Sequence, residues 1–444
     1  MARPTGVPTR RDVLRLLGLA TLATTAPTLA ACGSEHGAGV SDLGLVSSKV
    51  RRSPGDPALI GPVVDALNGF AGGLYGQLST SPGNLALSPY SVAVALGMTV
   101  NGAAGRTSDE MSKVLGIGRS LDLEAYNGGL DALTQAVEGL AGSFERPDDD
   151  PAVIALDSAN ALFGDRATPW RQAFLDTLAA SYGAGMRVVD WVHDPEAGRR
   201  AVNSWTADRT HDKIPEILPE GVVDALTRLV LVNALYFKAP WLVEFSDDLT
   251  TDQPFHRSPG DSVDVPTMLG ELEGVSLGQG DGWQAVRLPY YGNTLAMTVV
   301  LPDDGRLADL ESVVSRGHLG DVLAAPSPAA VRLRLPRWTF RSDTPLKDVL
   351  SALGMPTAFS DRADLTPMTD DATDLHIGAV LHQTFVAVDE HGTEAAAATA
   401  VVAQVESLPQ YVDVTVDRPF LFVIHDIAHL TPLFLGRVAD PAAA

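Results

Sequence analysis

From Ala58 onward, apolar positions recur at helical spacing. Ile60, Val63, Val64, Leu67 and Leu74 share one face, which predicts an amphipathic helix at the start of a folded region. Asn84 to Leu87 reads as a short apolar strand ending at Ser88-Pro89. Pro89 then opens a helix from Tyr90 to Met98, because proline lacks only an N–H that a first helical turn leaves unbonded. Thr107-Ser108-Asp109-Glu110, ahead of Met111, Val114 and Leu115, predicts a capped helix. The run Leu229 to Phe237 is almost unbroken apolar and rich in β-branched residues, as expected of a strand buried on both faces. Leu295 to Leu301 and Val331 to Leu335 predict further strands, and Pro419 to Ile424 with Leu433 to Val438 a closing pair. Helices dominate the first half and strands the second. This predicts an α+β fold with helices packed on large mixed β-sheets. No internal repeat or linker follows residue 60, so one large domain over 57–444 is expected.

Composition narrows the functions open to the chain. Its 444 residues carry 32 Lys+Arg against 55 Asp+Glu, a formal charge of −23. Binding phosphate backbones needs a basic footprint, so nucleic acid is excluded as a partner. The single cysteine rules out an intrachain disulfide and a cysteine-cluster metal site.

Residues 1–31 read as an export signal. Thr9-Arg10-Arg11-Asp12-Val13-Leu14 is a twin-arginine pattern, and Leu16 to Ala31 is an apolar stretch too short for a comfortable membrane span. It ends in Leu29-Ala30-Ala31-Cys32, which resembles a bacterial lipobox, so Cys32 is the expected lipidation site. Residues 32–56 are rich in Gly, Ser and Pro without apolar periodicity and read as a flexible tether. An extracellular location is expected, either secreted or lipid-anchored to the membrane at the cell surface.

The segment from Gly392 to Pro409 carries the function. Its odd positions from 393 to 405 are Thr, Ala, Ala, Thr, Val, Ala and Val, none of them charged. Its even positions from 394 to 406 hold both glutamates and the one amide. Alternate residues of a strand face opposite sides, so the segment fits a strand with one small apolar face. Small residues are what a strand entering an already packed sheet requires. Four consecutive alanines after Glu394 favour a helix when the segment is read alone, and an alanine-rich loop is a third reading.

The flanking residues decide between these readings. Glu390-His391-Gly392-Thr393-Glu394-Ala395-Ala396-Ala397-Ala398-Thr399 resembles the hinge pattern Glu-x-Gly-Thr-Glu-Ala-Ala-x-Ala-Thr of inhibitory serpins, the serine-protease-inhibitor family. Other family patterns follow in order. They include Asn84 to Ser91, Leu156 to Phe163, and Asn203-Ser204-Trp205 through Lys213-Ile214 with Asp212 in place of the usual glycine. They continue with Val232 to Lys238, Asp417 to Phe422 and Pro432 to Val438. The resemblance spans roughly Pro57 to Pro441 and implies the serpin fold, with an exposed reactive-centre loop near the C-terminus.

The resemblance also implies a mechanism. A serine protease attacks the loop and forms an acyl-enzyme, and the cleaved loop inserts into the central sheet as a new strand before the ester hydrolyses. The protein is then a suicide-substrate inhibitor and not an enzyme, a monomer that needs neither cofactor nor metal. Family spacing puts the scissile bond at Glu406-Ser407, which implies a Glu-specific protease. An elastase-like enzyme cutting after Val405 or Ala403 is the alternative, since the stretch from the bond to Pro419 is about two residues longer than in familiar members. Ser88, Ser91, Asn203 and His382 are expected to hydrogen-bond where the sheet opens, with Gln383 where the family often has Lys. A non-inhibitory serpin, acting as a surface binding protein or a protease substrate, is the alternative function.

The remaining constellations carry less. His425 and His429 lie between two predicted strands and read as a strand end and turn, not as a metal pair. Gly278-Gln279-Gly280-Asp281-Gly282 precedes a strand-like run and reads as a hairpin turn. Trp205, Trp241 and Trp338 are expected in the core.

Overall fold

The structure is a computed structural model that describes residues 43–146, 149–370, 375–394 and 410–443. Cys32, the expected export signal, Ala395 to Thr399 and the Glu406-Ser407 bond lie outside these residues. In chain order the elements are β1 (Gly44–Val46), α1 (Ile60–Leu78), β2 (Leu85–Leu87), α2 (Pro89–Val100), α3 (Gly105–Val114) and α4 (Leu123–Glu138). Next come β3 (Gly142–Arg146), β4 (Asp149–Asp165), α5 (Gln172–Tyr182), β5 (Met186–Val189), α6 (Pro195–Arg209), β6 (Leu229–Pro240), β7 (Thr251–Ser258) and β8 (Asp261–Gly280). Then follow β9 (Trp283–Pro289), β10 (Leu295–Pro302), α7 (Leu307–Ser315), α8 (Leu319–Ala324), β11 (Ser327–Pro336), β12 (Trp338–Pro345) and α9 (Lys347–Leu353). The last are β13 (Ala379–Val388), β14 (Gly392–Thr393), β15 (Val412–Thr415), β16 (Phe420–Asp426) and β17 (Pro432–Val438).

Two mixed sheets organise the α+β fold. The first runs β1-β5-β4-β6-β14-β13-β12 with β3 paired to β4, and the second runs β15-β11-β8-β9-β10-β16-β17-β2 with β7 paired to β8. Strand β6 shows why the first sheet is buried on both faces. Leu229, Leu231, Leu235 and Phe237 enter the main core, while Val230, Val232 and Ala234 pack in a second cluster with Val202, Ile214 and Leu218 beside α6. Alternation along one strand thus feeds two cores, which requires the unbroken apolar run.

Helix α2 is buried along its whole length, as a helix apolar on all sides must be. Ser88 caps it, its hydroxyl accepting from the Ser91 N–H at 3.2 Å, and Pro89 takes the first turn. The expected hairpin turn joins β8 to β9, with Gly280 opposite Trp283. His425 is the last residue but one of β16 and is buried, so it lies at a strand end.

Several expectations are corrected. Helix α3 begins at Gly105, two residues before Thr107, and has no side-chain cap. Thr107 is buried, and its hydroxyl accepts the Asp364 N–H at 2.9 Å, so tertiary contact takes the group a cap would use. The first half also contributes β4, a central strand of the first sheet. The described part of the expected tether is docked. Gly44–Val46 pairs with β5, Arg52 meets Asp131 at 2.6 Å, and the Ser53 N–H donates to Ala180 at 2.8 Å. An edge strand offers unpaired backbone groups to any extended segment, whatever that segment's apolar pattern. Trp241 and Trp338 are core residues, but Trp205 is only partly buried, with the Arg187 guanidinium 4.6 Å above its ring.

Candidate functional site

The site is a seam in the first sheet. Strands β6 and β13 pair in parallel through six Cα partners, from Ala379↔Val230 to Thr384↔Leu235. Beyond Leu235 the two strands part. The two-residue strand β14 lies between their far ends, antiparallel to both, with Thr393 opposite Ala239 on one side and Val388 on the other. The sheet is closed along one stretch and wedged open at the end where the expected hinge begins.

Thr393 fits the wedge because it is small. It is 2% exposed, and its hydroxyl lies 2.7 Å from the Tyr290 hydroxyl. The Tyr290 ring stacks on Trp241 at 4.6 Å between centroids. Burial raises the Tyr290 hydroxyl above its ordinary pKa, so it stays a neutral donor. Glycine is required at 392, where an added Cβ would lie 2.2 Å from the Ala239 carbonyl oxygen and 2.7 Å from Pro240 Cα.

The turn before β14 is tied down on several sides. The Trp241 N–H donates to the His391 carbonyl at 2.8 Å, and the Trp241 indole donates to the Asp389 carbonyl at 2.9 Å. Burial raises the Asp389 carboxyl, opposed by the His391 and Gly392 N–H groups that donate to it. The Glu390 side chain is 1% exposed and pairs with the Arg337 guanidinium, whose Nε donates at 2.7 Å. The Thr250 hydroxyl also donates to it. Burial alone would raise this carboxyl, but those hydrogen bonds hold it below the usual range.

Just past the wedge, Glu394 takes φ +52° and pairs with Lys213 at 2.7 Å. Lys213 also lies 5.1 Å over the Phe385 ring. The turn presenting Lys213 has His211 and Asp212 at φ +50° and +59°. That left-handed conformation explains why the family pattern has glycine where this chain has Asp212.

Along the closed stretch, a buried polar group lies between sheet and helix. The Ser88 N–H donates to His382 Nε2 at 2.8 Å, and His382 Nδ1 donates to the Asn233 carbonyl at 3.2 Å. One neutral tautomer satisfies both bonds. Burial pushes the imidazole down to about 4. The Ser91 hydroxyl donates to Asn160 at 2.5 Å, and the Thr384 hydroxyl to the Ala86 carbonyl at 3.0 Å.

Ser88, Ser91 and His382 therefore meet on the closed stretch of the sheet, and Asn203 does not join them. Asn203 lies on α6, where its Oδ1 accepts from the Ile217 and Leu218 N–H groups at 3.1 and 2.8 Å. It pins the loop after α6, because it faces the second apolar cluster and not α2. The asparagine at the seam is Asn233, opposite Asn160 on one side and His382 on the other. It is the one polar residue in the apolar run of β6, which was the available signal. Both its side-chain oxygen and nitrogen are buried without a hydrogen-bond partner among the described residues. Gln383 donates to the Glu216 carbonyl at 2.9 Å and so latches β13 to the loop that Asn203 holds. No cluster of His, Cys, Asp or Glu suited to a metal occurs among the described residues.

The site is thus a mixed sheet parted at one end by the two-residue strand β14. Residues 65–441 match the family described as Serpin (serine protease inhibitor). The chain is 33% identical over 383 residues to an uncharacterized serpin-like protein of Thermococcus kodakarensis, covering 86% of each. It is 34% identical over 388 residues to leukocyte elastase inhibitor of Sus scrofa, covering 84% of this chain and 97% of that protein. Among solved structures, Serpin48 of the insect Tenebrio molitor superposes with a TM-score of 0.72 at 29% identity, covering 85% of this chain and 98% of that one. The chain belongs to the serpin family.

Proposed function

We propose that this serpin is an inhibitor of serine proteases that works by swallowing its cleaved loop. The observation that carries the reading is β14, already seated between β6 and β13 while those strands remain paired beyond it. Were the loop to insert in the register of β14, Ala395 would come opposite Phe237, Ala397 opposite Leu235, and Thr399 opposite Asn233 on one side and His382 on the other. Insertion thus exchanges one parallel ladder for two antiparallel ladders, which are the more stable per residue. It would also bring a threonine hydroxyl to Asn233, whose side chain has no hydrogen-bond partner among the described residues.

The odd residues would follow Thr393 onto the main-core face, where only small side chains fit. A strand of about 15 residues spans about 50 Å, the distance over which an attached protease would be dragged. The intact form then stores free energy that cleavage releases. Pig leukocyte elastase inhibitor, by its name, acts on an elastase, which supports the elastase-like alternative for the target. Glu406 at the family-spaced bond favours a Glu-specific enzyme.

The test is incubation with a Glu-specific serine protease. A covalent adduct that survives SDS, with mass spectrometry placing the cut after Glu406, supports the reading. Cleavage with continued protease turnover would make the chain a substrate, the non-inhibitory alternative. Glu406→Arg should redirect trapping to trypsin-like enzymes, and retained preference for Glu would move the register.

We further propose that the chain is exported by its twin-arginine signal and held at the cell surface through lipid on Cys32, supported by the pattern of residues 1–32 alone. Among the described residues no helix is long and apolar enough to cross a membrane. Cys32→Ala should release the protein from the membrane fraction, and unchanged retention would contradict the anchor.

A further inference from the structure

A strand that enters a sheet must choose which of its two faces turns inward. Along β6, Leu235 and Phe237 enter the main core while Val232 and Ala234 pack in the cluster beside α6, so the first sheet has an inner and an outer face. Thr393 points inward, its hydroxyl at Tyr290. Glu394 points outward, where Lys213 Nζ lies 2.7 Å from its Oε1. Its other oxygen, Oε2, is buried without a hydrogen-bond partner among the described residues. Tyr236 lies beside it from β6, and burial together with the Glu394 charge pushes the phenol up to about 12. From across the seam, Phe385 of β13 presents its ring to the same ammonium.

Lys213 is held in place by α6. The turn after that helix is closed by the Asp212 N–H, which donates to the Ala207 carbonyl at 2.9 Å, and by the Lys213 N–H, which donates to the Thr210 carbonyl at 2.9 Å. The Ile214 N–H donates to the Thr210 hydroxyl at 3.2 Å. The ammonium thus reaches the seam from a fixed point outside the sheet. Glu394, at φ +52°, ends β14, and its N–H donates to the Ala387 carbonyl at 3.0 Å. Lengthening β14 requires this residue to turn into extended backbone. There its side chain alternates with Thr393 and so stays on the face of Lys213. The choice of face is inherited by every residue that follows. A one-residue slip would carry Glu394, Gln404 and Glu406 to the core face and the small odd residues outward.

We infer that Lys213 is a positioning residue that sets the register in which the loop enters the sheet. It holds Glu394 on the outer face, so that Thr393 and the odd residues after it take the inner one. The inference deepens the inhibitory reading, on which its effect on trapping rests. A loop already in register outruns hydrolysis of the acyl-enzyme. A loop that must first find its register loses part of that race, and water then returns free protease and a cleaved substrate.

The experiment reverses the two charges singly and together in the full chain: Lys213→Glu, Glu394→Lys and the double variant. Against a serine protease that the unaltered protein traps, each single variant should raise about tenfold the number of molecules cleaved per protease trapped, the scale of one hydrogen bond to a charged group. The double variant should recover most of that loss, which a merely structural role would not do. Lys213→Met keeps an unbranched stem over Phe385 without the charge; it should show the rise too, and it guards against a folding defect in Lys213→Glu. Single variants that trap as well as the unaltered protein, or a double variant no better than either single one, would overturn the inference. Hydrogen–deuterium exchange of the same uncleaved proteins reads the seat without any protease. Protection of Gly392, Thr393 and Glu394 should fall in the single variants and return in the double, and unchanged protection in the single variants would also overturn the inference. An unaltered protein that forms no adduct would sink the inhibitory reading, while the exchange measurement still decides the role of Lys213.

Discussion

The imidazole of His382 joins β13 to both β6 and the cap of α2: its Nδ1 donates to the Asn233 carbonyl at 3.2 Å while its Nε2 accepts the Ser88 N–H at 2.8 Å. Neither bond leaves room for a second proton on the ring. Burial lowers this group from 6.5 to about 4. Between those values the unfolded chain binds a proton that the folded chain refuses. Stability is therefore full above about pH 6.5 and is lost as pH falls toward 4, by up to about 3 kcal/mol. The denaturation midpoint of the intact protein should fall over that window, and His382→Gln should flatten the fall. His425, also lowered to about 4 by burial, adds to it, so His425→Gln is the companion variant. A midpoint flat from pH 6.5 to 4.5 would contradict the assignment.

Arg337 holds the Glu390 carboxylate, which is 1% exposed. Arg337→Ala strands that charge with the Thr250 hydroxyl. Breaking a buried pair from one side costs about 3–5 kcal/mol, and the lower end applies because the Arg337 side chain is 42% exposed. Glu390 lies below its ordinary value, so the contribution is present above the usual carboxylate range and lost as acid protonates it. Chemical denaturation of Arg337→Ala at pH 7 should show the loss. Glu390→Gln, which leaves no buried charge, should lose less, and equal losses would contradict the ion-pair account.

Thr393 sets the bulk the wedge accepts. Thr393→Arg places a cation where the hydroxyl now lies 2.7 Å from Tyr290 in a buried site. It should turn an inhibitor into a substrate, cleaved at an unchanged bond but forming no adduct, with the fold intact by circular dichroism. Unaltered trapping would show that β14 does not lead insertion.

The helices and strands with strong periodicity were legible in the chain: α1, α2, β6 and the closing pair β16–β17 stand where the apolar spacing puts them. The docking of Gly44–Val46 was not, because pairing at a sheet edge uses backbone groups and asks little of side chains. Of the expected hinge residues from Gly392 to Thr399, only Gly392 to Glu394 fall among the described residues, and the alternation of small residues alone left a helix open. Arg337 was not legible, since 53 residues separate it from Glu390 and no spacing links them. Asn203, expected at the seam, lies on α6 instead, because a motif places a residue in sequence, not on a face. The alternation of β6, which sends Leu231 and Leu235 to the main core, puts Asn233 on the same face. The contacts of His391 with Glu244 and Asp247 were not legible, because only the fold brings those residues together.

The central claim is tested most directly by nicking the loop with a protease that cuts within residues 400–409, then comparing thermal unfolding of nicked and intact protein. Release of stored free energy predicts a nicked form that melts well above the intact one, with the extra strand visible as new amide protection across β6 and β13. An unchanged melting temperature would mean that the intact chain already occupies its most stable state, and the spring-loaded account would be wrong.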